Sequence, residues 1–250
     1  MLTEERHNLI LGFLEKKGIS KVSELVEIAN TSESTIRRDL TLLESSGRLK
    51  RIHGGAILPK GRLAEPSYQE KEGHSVKEKK AIAKYAVTLI EEGDSIYLDA
   101  GTSTFEMIQY IGIKDIVVFT NGLKHIDALI EQNITSYILG GKVKSTTKAV
   151  IGLDALKNLQ KYRFDKCFLG INSIHMDYGF TTPDSEEAIL KENAMKHSDK
   201  TFVLADESKF GEVSFIKIAD LREAVIITNS EIGNYEEYSK KTIVKVVKNK

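Results

Sequence analysis

The chain has 250 residues, enough for at least one full core and for two, and its 36 basic and 36 acidic side chains cancel. Its single cysteine, Cys167, excludes an internal disulfide and a cysteine-rich zinc site, and its six histidines show no metal-ligand spacing, so neither metal nor cofactor is expected. No apolar run is long enough to span a bilayer and the amino terminus lacks the apolar core of a signal peptide, which reads as a soluble, cytoplasmic protein with no membrane partner. Neutrality hides an asymmetry. Residues 1–62 carry eleven basic against eight acidic side chains, a net charge of +3, and the remainder carries −3. A basic end on a neutral chain points to a polyanion partner there.

Thr3 predicts the cap of a helix from Glu4 to Lys17, with Leu9, Ile10, Phe13 and Leu14 on its inner face and Gly18 ending it. Ser20 is expected to cap a second helix with Val22, Leu25, Val26 and Ala29 inward. Asn30 and Thr31 make the turn, and Ser32 caps a third helix that runs to Ser46, with Gly47 at its end. On that helix Ile36, Leu40 and Leu43 recur at i, i+4 and i+7 and form a buried stripe. Ser34, Thr35 and Arg38 point away from the stripe, with Arg37 at its edge. Arginine can bond bidentately to guanine in the major groove or grip phosphate. Asp39 is expected to position Arg37 or Arg38 as an ion-pair partner.

Residues 48–58 then place two short strands around Gly54-Gly55, a hairpin. Three helices and a basic hairpin predict a winged helix-turn-helix, with Arg48, Lys50, Arg51 and His53 along the DNA backbone or minor groove. His53 can equally be a turn residue. The alternative, a three-helix bundle that docks another protein, does not explain why basic residues gather on the third helix and the hairpin.

Residues 59–75, with Pro59, Gly61, Pro66 and Gly73, read as a linker, so the expected division is 1–58, 59–75 and 76–250. Beyond it, strands at 95–98, 116–119, 136–139, 165–170, 201–205, 224–228 and 242–247 alternate with helices. This predicts an α/β, Rossmann-like domain with a mostly parallel sheet, whose ligand sits beyond the carboxyl ends of the strands. Asp99-Ala100-Gly101-Thr102-Ser103-Thr104 falls at such an end. Backbone amides and the Thr102, Ser103 and Thr104 hydroxyls can hold a phosphate there, and the same run can be a simple helix cap. It is neither a Walker loop nor a dinucleotide fingerprint. Asp165, Lys166, Glu187, Lys191, Asp206 and Lys209 form a second polar set. Glu187 and Lys191, at i and i+4 on a helix that starts after Thr182-Pro183-Asp184, are either a surface ion pair or the mouth of a pocket. Asp206 and Lys209 follow a strand and can close that pocket.

Taken together, Ser34 to Leu40, His53 to Ala56, Asp99 to Thr104, Thr120-Asn121, Gly140-Gly141, Asp165 to Gly170 and Ala205 to Lys209 resemble the DeoR family of bacterial transcriptional regulators. The likeness runs through most of the chain, and within the family it is nearest to the fructose-operon repressors of Gram-positive bacteria. It implies an operon repressor, a homodimer or homotetramer on double-stranded operator DNA. It also implies a carboxyl-terminal domain similar to sugar-phosphate isomerases that senses a phosphorylated sugar, with fructose 1-phosphate favoured and tagatose 6-phosphate or another ketose phosphate as the alternative. It favours the phosphate reading of Asp99 to Thr104 and adds Thr120, Asn121 and Gly141 to the effector set, with Lys71 and Lys80 as further contributors. No catalytic residue is expected. The alternative is an isomerase with an accessory DNA-binding module, but turnover would destroy the signal and an enzyme has no use for a recognition helix.

Overall fold

The computed structural model describes residues 2–45, 48–52, 54–58, 61–63, 65–229, 232 and 234–247. Its first helix, α1 (Thr3–Lys17), is capped by Leu2 rather than Thr3, and the Leu2 N–H donates to Glu5 at 2.9 Å. Gly18, at φ +79°, ends it in a backbone conformation that L side chains avoid. A short strand that the sequence does not reveal follows, β1 (Ile19–Lys21), where Ser20 was expected to act as a cap. Ser20 Oγ and Lys21 N–H instead both donate to Glu24 in α2 (Val22–Ala29), at 2.9 and 3.0 Å. Helix α3 (Glu33–Ser45) starts with Ser32 Oγ accepting from Thr35 N–H. Ile10, Leu14, Leu25, Ile36, Leu40 and Leu43 form the core beneath these helices.

Strands β2 (Lys50–Ile52) and β3 (Gly55–Ile57) make the expected hairpin, and β1 joins β3 on its other edge. The result is a winged helix-turn-helix, in a first unit, Met1–Gly61, that is distinct from a second, Arg62–Lys250. Gly47, His53 and Pro59 lie outside the described residues.

The second unit opens with α4 (Tyr68–Glu72) and α5 (Val76–Val87). Residues 62–75, read as linker, are thus part of this unit: Tyr68 is buried and its N–H donates to the Thr146 carbonyl at 2.8 Å. The chain then runs through β4 (Ser95–Leu98), α6 (Thr102–Ile108), β5 (Val117–Thr120), α7 (Leu123–Glu131) and β6 (Thr135–Ile138). An antiparallel pair, β7 (Lys142–Lys144) and β8 (Ala149–Ile151), precedes α8 (Leu153–Leu159) and β9 (Phe164–Gly170). Next come β10 (Ser173–His175), β11 (Gly179–Thr182), α9 (Ser185–Lys196), β12 (Ser198–Leu204) and β13 (Ile216–Ala219). The last elements are β14 (Val225–Thr228), α10 (Tyr235–Lys241) and β15 (Val244–Val246).

All seven anticipated strands pair in parallel in one sheet, in the order β15-β14-β12-β9-β4-β5-β6. Apolar clusters cover both faces, one around Tyr97, Phe164 and Val203 and one around Ile96, Phe168 and Leu204, as the alternating side chains of a parallel sheet require. Two antiparallel excursions, β7–β8 and β10–β11–β13, were not foreseen.

Candidate nucleic-acid interface and ligand site

The outer face of α3 carries Ser34, Arg37 and Arg38 exposed and Thr35 half-buried. Ser32 Oγ binds both hydroxyls, 3.0 Å from Ser34 and 2.8 Å from Thr35, so the cap and the two hydroxyls form one polar cluster. Arg37 pairs with Glu33 one turn back, at 2.6 Å. Among the described residues, Arg38 makes no ion pair. Asp39 departs from expectation. Its carboxylate turns inward and accepts from Arg6 at 2.5 and 3.0 Å, with His7 Nε2 at 3.1 Å. Burial pushes this carboxyl up, but the Arg6 and His7 bonds outweigh it and hold it below the ordinary range. Asp39 therefore ties α1 to α3 and positions neither arginine directly. On the wing, Arg48 reaches Asn8 at 3.4 Å, and Arg51 folds back onto Thr41 at 2.8 Å with its N–H on Glu44. Lys50 is half-buried on β2.

In the second unit the carboxyl ends of β12, β9, β4 and β5 lie side by side. Asp99 follows β4 and is fully buried between them. It pairs with the Lys191 ammonium from α9 and accepts from Gly170 N–H at 3.2 Å, while Lys191 also donates to the Gly170 carbonyl at 3.1 Å. Burial pushes the Asp99 carboxyl up and Lys191 opposes it. Thr104 is internal: its hydroxyl donates to the Asp99 and Gly101 carbonyls at 2.6 and 2.9 Å. Gly101 has extended backbone, and its lack of a side chain lets it approach Thr104 Oγ1 and the Gly170 Cα. Thr102 and Ser103 begin α6 beside it, both largely buried.

A second layer fixes this loop. Asn121 Oδ1 accepts from Ala100 N–H at 2.8 Å and its amide donates to Val150. Thr120 Oγ1 accepts from Gly122 N–H and lies 2.8 Å from His125 Nδ1. That leaves the Thr120 proton for Nδ1, and His125 Nε2–H for the Gly101 carbonyl at 3.4 Å. Burial lowers the His125 pKa to about 4, so the ring is neutral.

Glu187 and Lys191 are not partners of each other and not on the surface. Asp184 caps α9 by accepting from Glu187 N–H, and the buried Glu187 carboxylate takes the Thr147 hydroxyl at 2.6 Å and faces Lys144 at 3.3 Å. Asp206 is buried and caps the turn that carries Lys209, accepting from Ser208 N–H at 3.0 Å. Sequence reasoning missed Lys79. The exposed neighbour Lys80 had been expected to contribute, but Lys79 is the buried one, and its ammonium donates to the Lys71 carbonyl. Burial lowers its pKa to about 8, with Asp206 opposing and Lys209 reinforcing the shift. Burial also lowers the pKa of Lys71, within the fields of Glu187, Glu65, Lys191 and Lys209. The signal for Lys79 lay in the helix period: Lys79, Ile82, Ala83 and Ala86 share the buried face of α5.

Three expected residues fall elsewhere. Asp165 and Lys166 start β9, four or more residues from Gly170, roughly 13 Å along a strand and at the opposite end of the sheet. Asp165 accepts from Ser95 N–H and Oγ at 2.8 and 2.7 Å, and Lys166 binds Asp94 and Glu91 at 2.5 and 3.0 Å. Gly141 is a packing residue: a Cβ there would stand 2.7 Å from the Ile151 carbonyl oxygen and 3.1 Å from Ala155.

Lys71, Lys79 and Lys209 lie within one another's fields, together with the carboxylates of Glu187, Glu65, Asp206 and Glu106. Lys191 is neutralised by Asp99, but among the described residues Lys71, Lys79 and Lys209 have no carboxylate within ion-pair distance. Three ammonium groups within one another's fields suit a multiply charged anion.

A winged helix-turn-helix joined to an α/β unit with such a site defines a DNA-binding transcriptional regulator with a sensor domain. The chain belongs to the DeoR family: the DeoR-like helix-turn-helix domain matches residues 6–62 and the DeoR C terminal sensor domain matches residues 74–230. It is 52% identical over 250 residues to the uncharacterized HTH-type transcriptional regulator FruR of Bacillus subtilis, covering 99% of this chain and 100% of that one. It is 35% identical over 239 residues to the lactose phosphotransferase system repressor of Staphylococcus epidermidis, covering 93% and 95%. Among solved structures, a ribose-5-phosphate isomerase in complex with phospho-erythronic acid aligns over 53% of this chain and 52% of that one, at 21% identity and a TM-score of 0.40. The relatives are named regulators and repressors, and this chain is a regulator of transcription rather than an enzyme.

Proposed function

We propose that this regulator represses a sugar-utilisation operon and that a phosphorylated sugar, with fructose 1-phosphate as the favoured one, relieves repression. The observation that carries the reading is the group of Lys71, Lys79 and Lys209 beside the carboxyl ends of a parallel sheet, three cations with no carboxylate within ion-pair distance among the described residues. Relatives named lactose phosphotransferase system repressor and putative aga operon transcriptional repressor support a sugar operon as the target. Asp99, Gly101, Thr102, Ser103 and Lys191 form the floor of the effector site, with Glu187, Asp206 and Lys209 at its rim. Thr104, Thr120 and Asn121 act from behind by holding the loop.

On the DNA side, Ser34, Thr35, Arg37 and Arg38 read the major groove, and Arg48, Lys50, Arg51 and His53 follow the backbone. One head with a few phosphate contacts binds weakly at physiological salt, so a homodimer or homotetramer on repeated half-sites supplies the affinity. The effector must bind the DNA-incompetent state better, and a tenfold release needs about 1.4 kcal/mol of coupling.

The test is fluorescence anisotropy on DNA from upstream of the operon, titrated with fructose 1-phosphate, tagatose 6-phosphate and inorganic phosphate. Fructose 1-phosphate alone should lower operator affinity. Release by a different sugar phosphate changes the sugar and keeps the mechanism. DNA binding that no phosphate alters refutes the sensor reading. Lys209→Ala should blunt the response and spare DNA binding, whereas paired Arg37→Ala and Arg38→Ala changes should abolish operator binding.

A further inference from the structure

The seven-stranded sheet has two edges, β15 and β6, and the chain treats them differently. An edge strand presents unpaired backbone groups to any other strand, and charged side chains, lysine above all, discourage that pairing. Strand β15 follows this rule: Lys245 is its central residue, and Lys240 and Lys241 end α10 just before it. Strand β6 does not. From Gln132 to Gly141 ten consecutive residues carry no charge, in a chain of which 29% is charged. Among the described residues β6 pairs on one side alone, with β5, and no backbone hydrogen bond leaves its other side.

Apolar side chains stand exposed on both faces of this edge. Tyr137 stacks on Phe119, 4.8 Å between ring centroids, yet remains 51% exposed. Ile138 points to the other face and is 41% exposed. Ile130, on the helix α7 that packs against β6, is 61% exposed, and Val143 on β7 is 53% exposed. Among the described residues, six of the twelve large apolar side chains exposed in the second unit lie between Leu123 and Leu153, the segment that contains this edge. Apolar surface gathered in one segment marks an interface, whereas single scattered side chains do not. A stable dimer buries about 800 Å² per partner. Two four-residue strands are too small for that alone, and the flanking side chains of α7 and β7 enlarge the contact.

We propose that β6 is the surface through which two copies of this chain join, edge to edge and antiparallel, so that their two sheets become one. The occupant follows from symmetry. A two-fold axis perpendicular to the sheet sets β6 antiparallel to its own copy, and every residue then meets a residue of the same segment. A charged strand apposed to itself would bring like charges together, and β6 has none to oppose. Tyr137 and Ile138 of the two copies instead cover one another, one pair on each face. The inference rests on the reading of paired DNA-binding heads above and names the surface that pairs them.

The experiment uses the full chain. Sedimentation velocity reads the oligomer, and titration of operator DNA reads how many copies occupy it. Thr135→Lys and Ile138→Lys should each raise the dimer dissociation constant at least about tenfold, because each added charge meets its symmetry mate. Thr135 is already exposed, so that variant keeps the test valid if Ile138→Lys fails to fold, which thermal unfolding shows. Thr135→Val should leave the dimer intact. Single cysteines at positions 135 to 138 should cross-link two copies on oxidation, most strongly at the one residue on the axis, where like residues come within disulfide reach. Cys167 is buried and takes no part. A dimeric wild type that withstands the lysine changes, or that gives no cross-link at any of the four positions, overturns the β6 interface and leaves the paired-heads reading intact. A wild type that is monomeric at micromolar concentration overturns the interface, and one that also occupies the operator as a single copy overturns the paired-heads reading with it.

Discussion

Asp39 sits next to Arg37 and Arg38 in the chain, yet its carboxylate is bound by Arg6 and His7 from another helix. In a helix, neighbours at i+1 and i+2 diverge, and only the buried side offers Asp39 a partner. Asp39→Ala should cost about 1–3 kcal/mol in urea unfolding, because it strips a buried pair and loosens α1 from α3. Arg38→Ala should leave stability within about 0.5 kcal/mol, since the side chain is exposed, and lower operator affinity about tenfold. Equal effects of the two changes on stability would remove the distinction. His125 makes a different prediction. Its folded pKa is lowered from 6.5 to about 4, so between those values the unfolded chain binds a proton that the folded chain refuses. The stability from keeping His125 neutral is fully present above pH 6.5 and is lost as pH falls toward 4, by about 3 kcal/mol at most. Denaturation at pH 7 and pH 5 measures it, and His125→Gln should flatten the difference.

At the scale of elements, the wing shows how two adjacent glycines serve separate needs. Gly54 lies at φ +77° with open space where a side chain would stand. A Cβ on Gly55 would lie 2.1 Å from the Ser20 carbonyl oxygen, because β1 packs across β3 at that point. Gly54→Asn should cost under about 1 kcal/mol, since asparagine tolerates a left-handed backbone. Gly55→Ala should cost about 1–3 kcal/mol, as overpacking against backbone does, and should weaken DNA binding through the wing. Thermal unfolding of both variants checks the order. Strand β1 itself was not legible, since three residues give too little alternation to reveal a strand. Strands β7, β8 and β10 are equally short and went unforeseen as well.

At the scale of the whole molecule, the operator titration above asks whether a ligand in one unit changes what the other does. Both units were readable in the chain. Helix period, the Ser32 cap, the Gly-Gly hairpin and the seven strands of the sheet are local signals, fixed by backbone sterics and by which face of an element is apolar. The turn from Asp99 to Thr104 was readable as a strand end followed by a helix start, with β4 ending at Leu98 and α6 beginning at Thr102. Tertiary structure alone decided which charges meet. Asp99 and Lys191 pair across 92 positions, Lys79 rather than Lys80 faces inward beside Lys71, and Asp165 and Lys166 lie at the amino end of the strand whose carboxyl end holds Gly170. A sequence names the ionisable groups. The direction of each strand and the packing of each helix determine which end of the sheet they reach, and only burial there turns a list of lysines and carboxylates into a site.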